Sequence, residues 1–224
     1  MMNICIIIPV HNEAKHIGPL IEALRTKKHD VIIIDDGSTD QTRAIAQEKG
    51  ATVIRHQQRG GKGYSLRKGF EYALQHDYEG VITMDGDGQH DVEDIDQFVQ
   101  AAQKYQANIV TGNRMDNSGS MPFVRLCTNR FMSWLISLAC KQLIKDTQCG
   151  FRYISRDVLE KLNLTCQGFE IETEILMKAC KKGFKVYSIP VKTIYCDEKS
   201  KINPFKDTIR FFAYFTKEIF SSET

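Results

Sequence analysis

The chain has 224 residues, with 30 Lys+Arg against 28 Asp+Glu for a formal charge of +2. That length suits one large domain or a domain with a small appendage. With 42% hydrophobic and 26% charged residues wholesale disorder is excluded, and the near-neutral balance gives no overall pull toward nucleic acid, so no nucleic-acid partner is expected.

The N-terminal apolar run Ile4–Val10 has no basic region before it and no small-residue cleavage site after it. It reads as a buried strand, not a signal peptide. Pro9 has no N–H for a central ladder, so the strand is expected to end there. A helical pattern over Ala14–Arg25 follows, with Glu13 at its opening, where the helix dipole favours an acid. Val31–Ile34 is a second strand, ending in Asp35-Asp36-Gly37-Ser38-Thr39-Asp40. Ser38 or Thr39 is an N-cap candidate for a helix over Thr39–Lys49, and Gly50 stands where a C′ glycine would close it.

Thr52–Arg55 is a weaker strand, followed by the basic, glycine-rich Arg59-Gly60-Gly61-Lys62-Gly63 and a helix over Gly63–Gln75. Gly63 follows Lys62 where a Walker A loop needs Ser or Thr, and Leu66 stands at the third glycine position of a dinucleotide fingerprint. P-loop NTPases and dinucleotide dehydrogenases are thereby disfavoured. Val81–Met84 is a clear strand feeding Asp85-Gly86-Asp87-Gly88-Gln89-His90. Two carboxylates one residue apart at a strand end can converge on one hard cation, with Gln89 adding a neutral oxygen. An EF-hand fails on His90 at the required glycine and Asp96 at the last position; a solvated acidic turn is the bland alternative.

A helix over Val92–Tyr105 and a short strand Ile109–Thr111 complete the first half. Strand–helix alternation with uniformly apolar strands argues for a parallel sheet covered on both faces, with ligands at the strand C-termini. The second half is less regular: a long helix over Met121–Ile144, strands at Phe151–Ile154 and Val186–Tyr195, a helix over Ile171–Lys182 between them, and an amphipathic helix over Pro204–Phe220. The apolar stretch Phe131–Cys140 falls well short of the roughly 20 residues that span a bilayer, so any membrane contact is expected to be peripheral. The seven cysteines form no Cys-x-x-Cys pair. Free thiols in a reducing cytosol are expected, and Cys149 is a weak candidate for a nucleophile. Asp146, in Asp146-Thr147-Gln148-Cys149-Gly150-Phe151-Arg152, is the better one for chemistry, as a general base or an orienting group. One domain over 1–224 is expected, with a nucleotide-binding half (1–115) and an acceptor-side half (116–224).

In order along the chain, Pro9-Val10-His11-Asn12-Glu13, Asp35 to Asp40, Asp85-Gly86-Asp87 with Gln89, and Asp146 to Arg152 resemble the motifs of the family-2 glycosyltransferases, in particular the polyprenyl-phosphate sugar transferase branch. The resemblance covers nearly the whole chain. It implies a GT-A type fold (a Rossmann-like, mostly parallel sheet with helices on both faces) and transfer from a UDP- or GDP-linked sugar with inversion. It also implies Mg²⁺ or Mn²⁺ as cofactor and a polyprenyl phosphate as acceptor, at the cytoplasmic face of a membrane. Pro9, His11, Glu13, Asp36, Lys62 and Asp85 would line the nucleotide-sugar, while Asp85, Asp87 and Gln89 hold the metal. Asp87, Arg114 and Asp146 would carry the chemistry. Arg125 and Asn129 fall where that branch has an arginine and a serine for the acceptor phosphate. Lys199 and Lys201 stand in for an arginine absent from Tyr195–Lys201. The terminal helix, rich in aromatics and cations, would lie in the membrane interface or pack on the core. A transferase to a soluble hydroxyl acceptor, a sugar nucleotidyltransferase and an inactive nucleotide-binding module are the alternatives.

Overall fold

A computed structural model describes residues 2–117, 121–194 and 204–220. Seven strands form one sheet: β1 (Ile4–Val10), β2 (Asp30–Asp35), β3 (Thr52–Arg55), β4 (Gly80–Thr83), β5 (Ile109–Asn113), β6 (Arg152–Ser155) and β7 (Val186–Pro190), in spatial order β3-β2-β1-β4-β6-β5-β7. All pairings are parallel except those of β6, which runs antiparallel to both β4 and β5. The second half of the chain thus inserts a strand into the sheet of the first half. Because β6 is reversed, its N-terminal end lies beside the C-terminal ends of β1, β2, β4 and β5.

The helices are α1 (Ile17–Thr26), α2 (Thr42–Glu48), α3 (Lys62–Leu74), α4 (Ile95–Tyr105), α5 (Phe123–Cys140), α6 (Arg156–Lys161), α7 (Ile171–Lys181) and α8 (Pro204–Phe220). The period-two geometry of β1 divides the core. Ile4, Ile6, Ile8 and Val10 join Ile17, Leu24 and Phe98 on one face of the sheet. Cys5 and Ile7 join Leu66, Phe70, Ile136, Ile175 and Phe211 on the other.

Several sequence expectations are revised. β1 runs through Pro9, which lies opposite Ile34. The Val10 carbonyl accepts from Asp36 N–H on the β2 side and the Ile7 carbonyl from Met84 N–H on the β4 side. Alternation turns the Pro9 nitrogen toward β4, where pairing has stopped at Ile7 and Thr83, so the missing donor costs no ladder bond. Glu13 precedes α1 instead of opening it, its carbonyl accepting from the N–H groups of His16 and Ile17. Neither Ser38 nor Thr39 caps α2, which starts at Thr42; Asp40 Oδ1 accepts from the Thr42 N–H at 3.0 Å. Gly50 has the expected positive φ of 78° just beyond the end of α2. The long helix stops at Cys140 because Lys141 turns left-handed and Ser137 bonds the Ile144 backbone at 3.0 and 3.1 Å. The terminal helix takes the core-packed alternative: Phe211 and Phe215 are buried in the cluster that α7 shares.

Candidate active site

The acidic motifs converge on the sheet edge formed by the ends of β1, β2, β4 and β5 and the start of β6. At the end of β2, Asp35 is fully buried and accepts the Ser38 N–H at 2.9 Å. Asp36 accepts from the N–H groups of Gly60 (2.7 Å) and Gly61 (2.9 Å) and faces His56 Nδ1 at 3.1 Å. Burial alone would raise the Asp36 carboxyl, but the Gly60 and Gly61 donors and His56 outweigh it and hold the acid low. Asp36 therefore fixes the glycine loop ahead of α3. Gly61 there has φ 91°, and a side chain at Gly63 would strike the Cys166 carbonyl. His11 Nδ1 lies 2.9 Å from the Asp36 carbonyl oxygen, and the Glu13 N–H donates to Thr42 Oγ1 at 2.8 Å.

The loop delivers Lys62, whose Nζ lies 2.6 Å from Asp85 Oδ1 and 2.9 Å from Glu172 Oε1. Glu172 is held from its other side by Arg152 Nη1 at 3.0 Å. Arg152 is the largest fully buried side chain among the described residues. Its fork donates to the carbonyls of Cys149 (2.8 Å), Thr147 (2.7 Å) and Glu172 (2.8 Å). A Cβ at Gly150 would come within 2.7 Å of Lys62 Nζ and 2.8 Å of Asp85 Oδ2, so a side chain there would push the pair apart.

Asp85 and Asp87 follow β4 as expected. Burial would raise Asp85, yet Lys62 and His90 hold it well below the usual carboxylate range. The opposite holds for Asp87, which burial and the negative charge of Asp85 push up. Its Oδ1 accepts the Gln89 N–H at 3.0 Å. A divalent cation between the two acids would relieve that repulsion, so the residues present fit one. Among the described residues no group of three or more His, Cys, Asp or Glu forms a closed metal cage. That suits a hard cation shared between one or two carboxylates and a substrate phosphate.

Arg114, just past β5, makes a two-pronged pair with Asp146: Nε to Oδ2 at 2.8 Å and Nη2 to Oδ1 at 3.1 Å. Asp146 is fully buried and also accepts the N–H groups of Gln148 (3.1 Å) and Arg114 (3.3 Å). Of the two roles expected for Asp146, the orienting one matches this geometry, since both oxygens are occupied. Burial pushes the neighbouring Cys149 thiol up to about 11, which keeps it protonated and unsuited to nucleophilic attack.

On α5, Arg125 is half-buried, whereas Asn129 is buried with its amide 4.0 Å from Met121 Sδ. Four residues on, Ser133 Oγ accepts the Thr147 N–H at 3.0 Å and ties α5 to the Asp146–Gly150 loop. Lys199 and Lys201 lie outside the described residues. Beside the acidic edge, an open cleft of about 530 Å³ is lined by Ser38, Thr39, Asp40, Arg43, Ala44, Gln47 and Arg55; neither Asp85 nor Asp87 borders it. Sequence reasoning assigned no role to His56, Arg152 or Glu172: the His56–Asp36 and Arg152–Glu172 contacts each span 20 positions and are made by the fold.

A mostly parallel seven-stranded sheet with two strand-end acids beside a basic glycine loop defines a GT-A type glycosyltransferase. The chain belongs to glycosyl transferase family 2, whose family model matches residues 5–163. It is 29% identical over 217 residues to a UDP-N-acetylglucosamine–dolichyl-phosphate N-acetylglucosaminyltransferase of Methanococcus voltae, covering 87% of this chain and 86% of that one. It is 31% identical over 202 residues to a dolichol-phosphate mannosyltransferase of Pyrococcus furiosus, covering 84% of this chain and 56% of the relative. Glucosyl-3-phosphoglycerate synthase of Mycobacterium tuberculosis, solved with Mn²⁺, UDP and phosphoglyceric acid, superposes with a TM-score of 0.77 at 18% identity, over 100% of this chain and 80% of that one.

Proposed function

We propose that this enzyme transfers a sugar from a UDP- or GDP-linked donor to a polyprenyl phosphate, with inversion and with Mg²⁺ or Mn²⁺ held by Asp85, Asp87 and Gln89. The observation that carries this reading is how the acids are committed. Asp85, Asp146 and Glu172 each pair with a lysine or arginine, and Asp36 with His56 and two N–H groups. None of these four is left to deprotonate a hydroxyl, and Asp87 is the acid given to the metal in this reading. An acceptor phosphate is already anionic and needs no base, which favours it over a soluble hydroxyl acceptor. The bound cation, when present, would act as a Lewis acid on the diphosphate. Arg114, held rigidly by Asp146, would stabilise the charge developing on that leaving group. Pro9, His11 and Glu13 would border the nucleoside, and Asp36 would set the loop carrying Lys62. Arg125 and Asn129, with Lys199 and Lys201, are proposed for the acceptor side. The similarity to the two dolichol-phosphate glycosyltransferases supports the same substrate class.

A lipid-linked acceptor requires a membrane-facing surface, and α5 supplies a candidate. No described helix is long and apolar enough to cross a membrane. On α5, Phe123, Val124, Cys127, Phe131, Trp134 and Leu138 are all exposed. At about 100° per residue these positions share one face, opposite the buried Met132, Ile136 and Cys140. The segment from Met121 to Lys145 carries Arg125, Arg130, Lys141 and Lys145 and no acid, which suits an anionic lipid surface.

The test is transfer from UDP- and GDP-sugars to a short-chain polyprenyl phosphate, to the matching polyprenol and to a soluble sugar, with Mn²⁺ or with EDTA. Metal-dependent product on the phosphate alone supports the reading. Preference for either hydroxyl acceptor, or full activity in EDTA, refutes it.

A further inference from the structure

We infer that Lys62 is a resident counter-ion of the metal site, sharing Asp85 in the metal-free enzyme and withdrawing onto Glu172 when a divalent cation binds. The inference rests on the metal site proposed above and adds a residue that regulates its occupancy.

The geometry is a single ammonium between two carboxylates, with Nζ 2.6 Å from Asp85 Oδ1 and 2.9 Å from Glu172 Oε1. The Lys62 side chain is only 12% exposed, so water cannot substitute for either partner without cost. Glu172 is immobilised, because Arg152 grips its Oε2 at 3.0 Å while bonding the carbonyls of Cys149 and Thr147. Glu172 is therefore a fixed second seat for the ammonium. Asp85, in contrast, must serve two masters once a cation joins Asp87, since metal and ammonium repel at the same carboxylate. The charge count agrees. Among the acids and the lysine and arginine side chains they pair with, Asp85, Asp87 and Glu172 bring three negative charges, and Lys62 and Arg152 two positive. The acid lacking a cation is Asp87, and one divalent ion turns the group from net negative to net positive, the sign an arriving diphosphate requires.

A purely structural Lys62 would tie the start of α3 to β4 and α7, and its loss would weaken metal binding through disorder. A competing counter-ion gives the opposite sign. Mn²⁺ alone is titrated into the full-length protein, with free Mn²⁺ followed by electron paramagnetic resonance and folding by thermal melts. Lys62→Met is expected to bind Mn²⁺ about tenfold more tightly than wild type, equivalent to about 1.4 kcal/mol. Glu172→Gln removes the second seat, leaves Lys62 to Asp85, and should weaken Mn²⁺ binding about tenfold by the same measure. Lys62→Arg, which keeps the charge, should stay near wild type, and Asp87→Ala should not bind. A folded Lys62→Met with unchanged or weaker Mn²⁺ affinity overturns the inference while leaving the metal site standing. Should Lys62→Met fail to fold, unchanged or tighter binding by Glu172→Gln overturns it instead. If wild type binds no Mn²⁺, the metal reading itself falls, and this inference with it.

Discussion

Removing the charge of Asp146 without changing its shape isolates what the Arg114 pair does. Asp146 has no exposed surface and Arg114 has 11%, so the pair is effectively desolvated. Its two prongs at 2.8 and 3.1 Å leave neither carboxylate oxygen without a cationic donor. Breaking a buried pair by deleting one partner costs about 3–5 kcal/mol, mostly because the survivor is stranded. Asp146→Asn and Arg114→Met should each lose that much in urea unfolding. At about 2–4 °C per kcal/mol for a chain of this size, each should melt about 6–20 °C lower. The double variant strands no charge, so it should be no less stable than the worse single variant, a coupling of about 3 kcal/mol. Activity toward a phosphate acceptor should fall in both single variants with no change in the shape of the pH–rate profile, because no proton is transferred to Asp146. Additive stability losses, or loss of one limb of the pH–rate profile in Asp146→Asn alone, would refute this account and restore Asp146 as a base.

Asp36→Ala strips the partner from Gly60 N–H, Gly61 N–H and His56; nucleotide affinity should drop by roughly 1.5–3 kcal/mol. Hydrogen exchange at Gly60 and Gly61 should rise with it, and unaltered exchange would rule out a loop-setting role. Glu174 is fully buried and accepts from Thr165, Cys166 and Lys178. Burial would raise its carboxyl, but Lys178 and the Cys166 and Thr165 donors hold it below the ordinary value. Its stabilisation is therefore complete above about pH 4.3 and lost as pH falls through the lower folded value. Between pH 6 and 3 wild type should lose more melting temperature than Glu174→Gln, and parallel curves would contradict this. Trp134, the single tryptophan, is 59% exposed on α5. Its emission should shift to the blue on vesicles of phosphatidylcholine with phosphatidylglycerol, less so at high salt. Phe131→Ser with Leu138→Ser should abolish the shift while changing stability by about 0.5 kcal/mol or less per site. A blue-shifted, concentration-dependent dimer without lipid would assign the face to a second copy instead.

What the sequence made legible is what is local. Ile4–Val10 and Val31–Ile34 are apolar on both faces because helices cover both sides of the sheet, and the acids that interrupt them mark its edge. The reversal of β6 was not legible, since four residues of strand carry no sign of direction and the pairing with β4 spans a separation of about seventy positions. The six-residue α6 is too short for a helical period to register, and it starts directly after β6. Pro9 misled because the rule about missing donors depends on which neighbour the nitrogen faces. The terminal helix presented aromatics on two sides, and only packing against α7 decided that Phe211 and Phe215 turn inward.

The site divides along the same line. Asp85, Asp87, Asp36 and Asp146 were found as acids, but their partners determine what each does, and those partners come from distant segments. Lys62 reaches Asp85 across 23 positions, Asp36 holds Gly60 across 24, and Arg114 meets Asp146 across 32. Arg152 closes the Asp146–Arg152 motif, but its role was not legible, because a buried guanidinium bonded to three carbonyls looks in sequence like any surface arginine. Yet it fixes both the Asp146–Gly150 loop and Glu172, and through Glu172 it fixes Lys62. Asp85, Asp146 and Glu172 are thus paired with cations from within the protein and Asp36 with N–H donors and His56, while Asp87 keeps a raised proton affinity from burial and Asp85. That imbalance needs no ligand to create it, and a divalent cation arriving with a diphosphate would remove it.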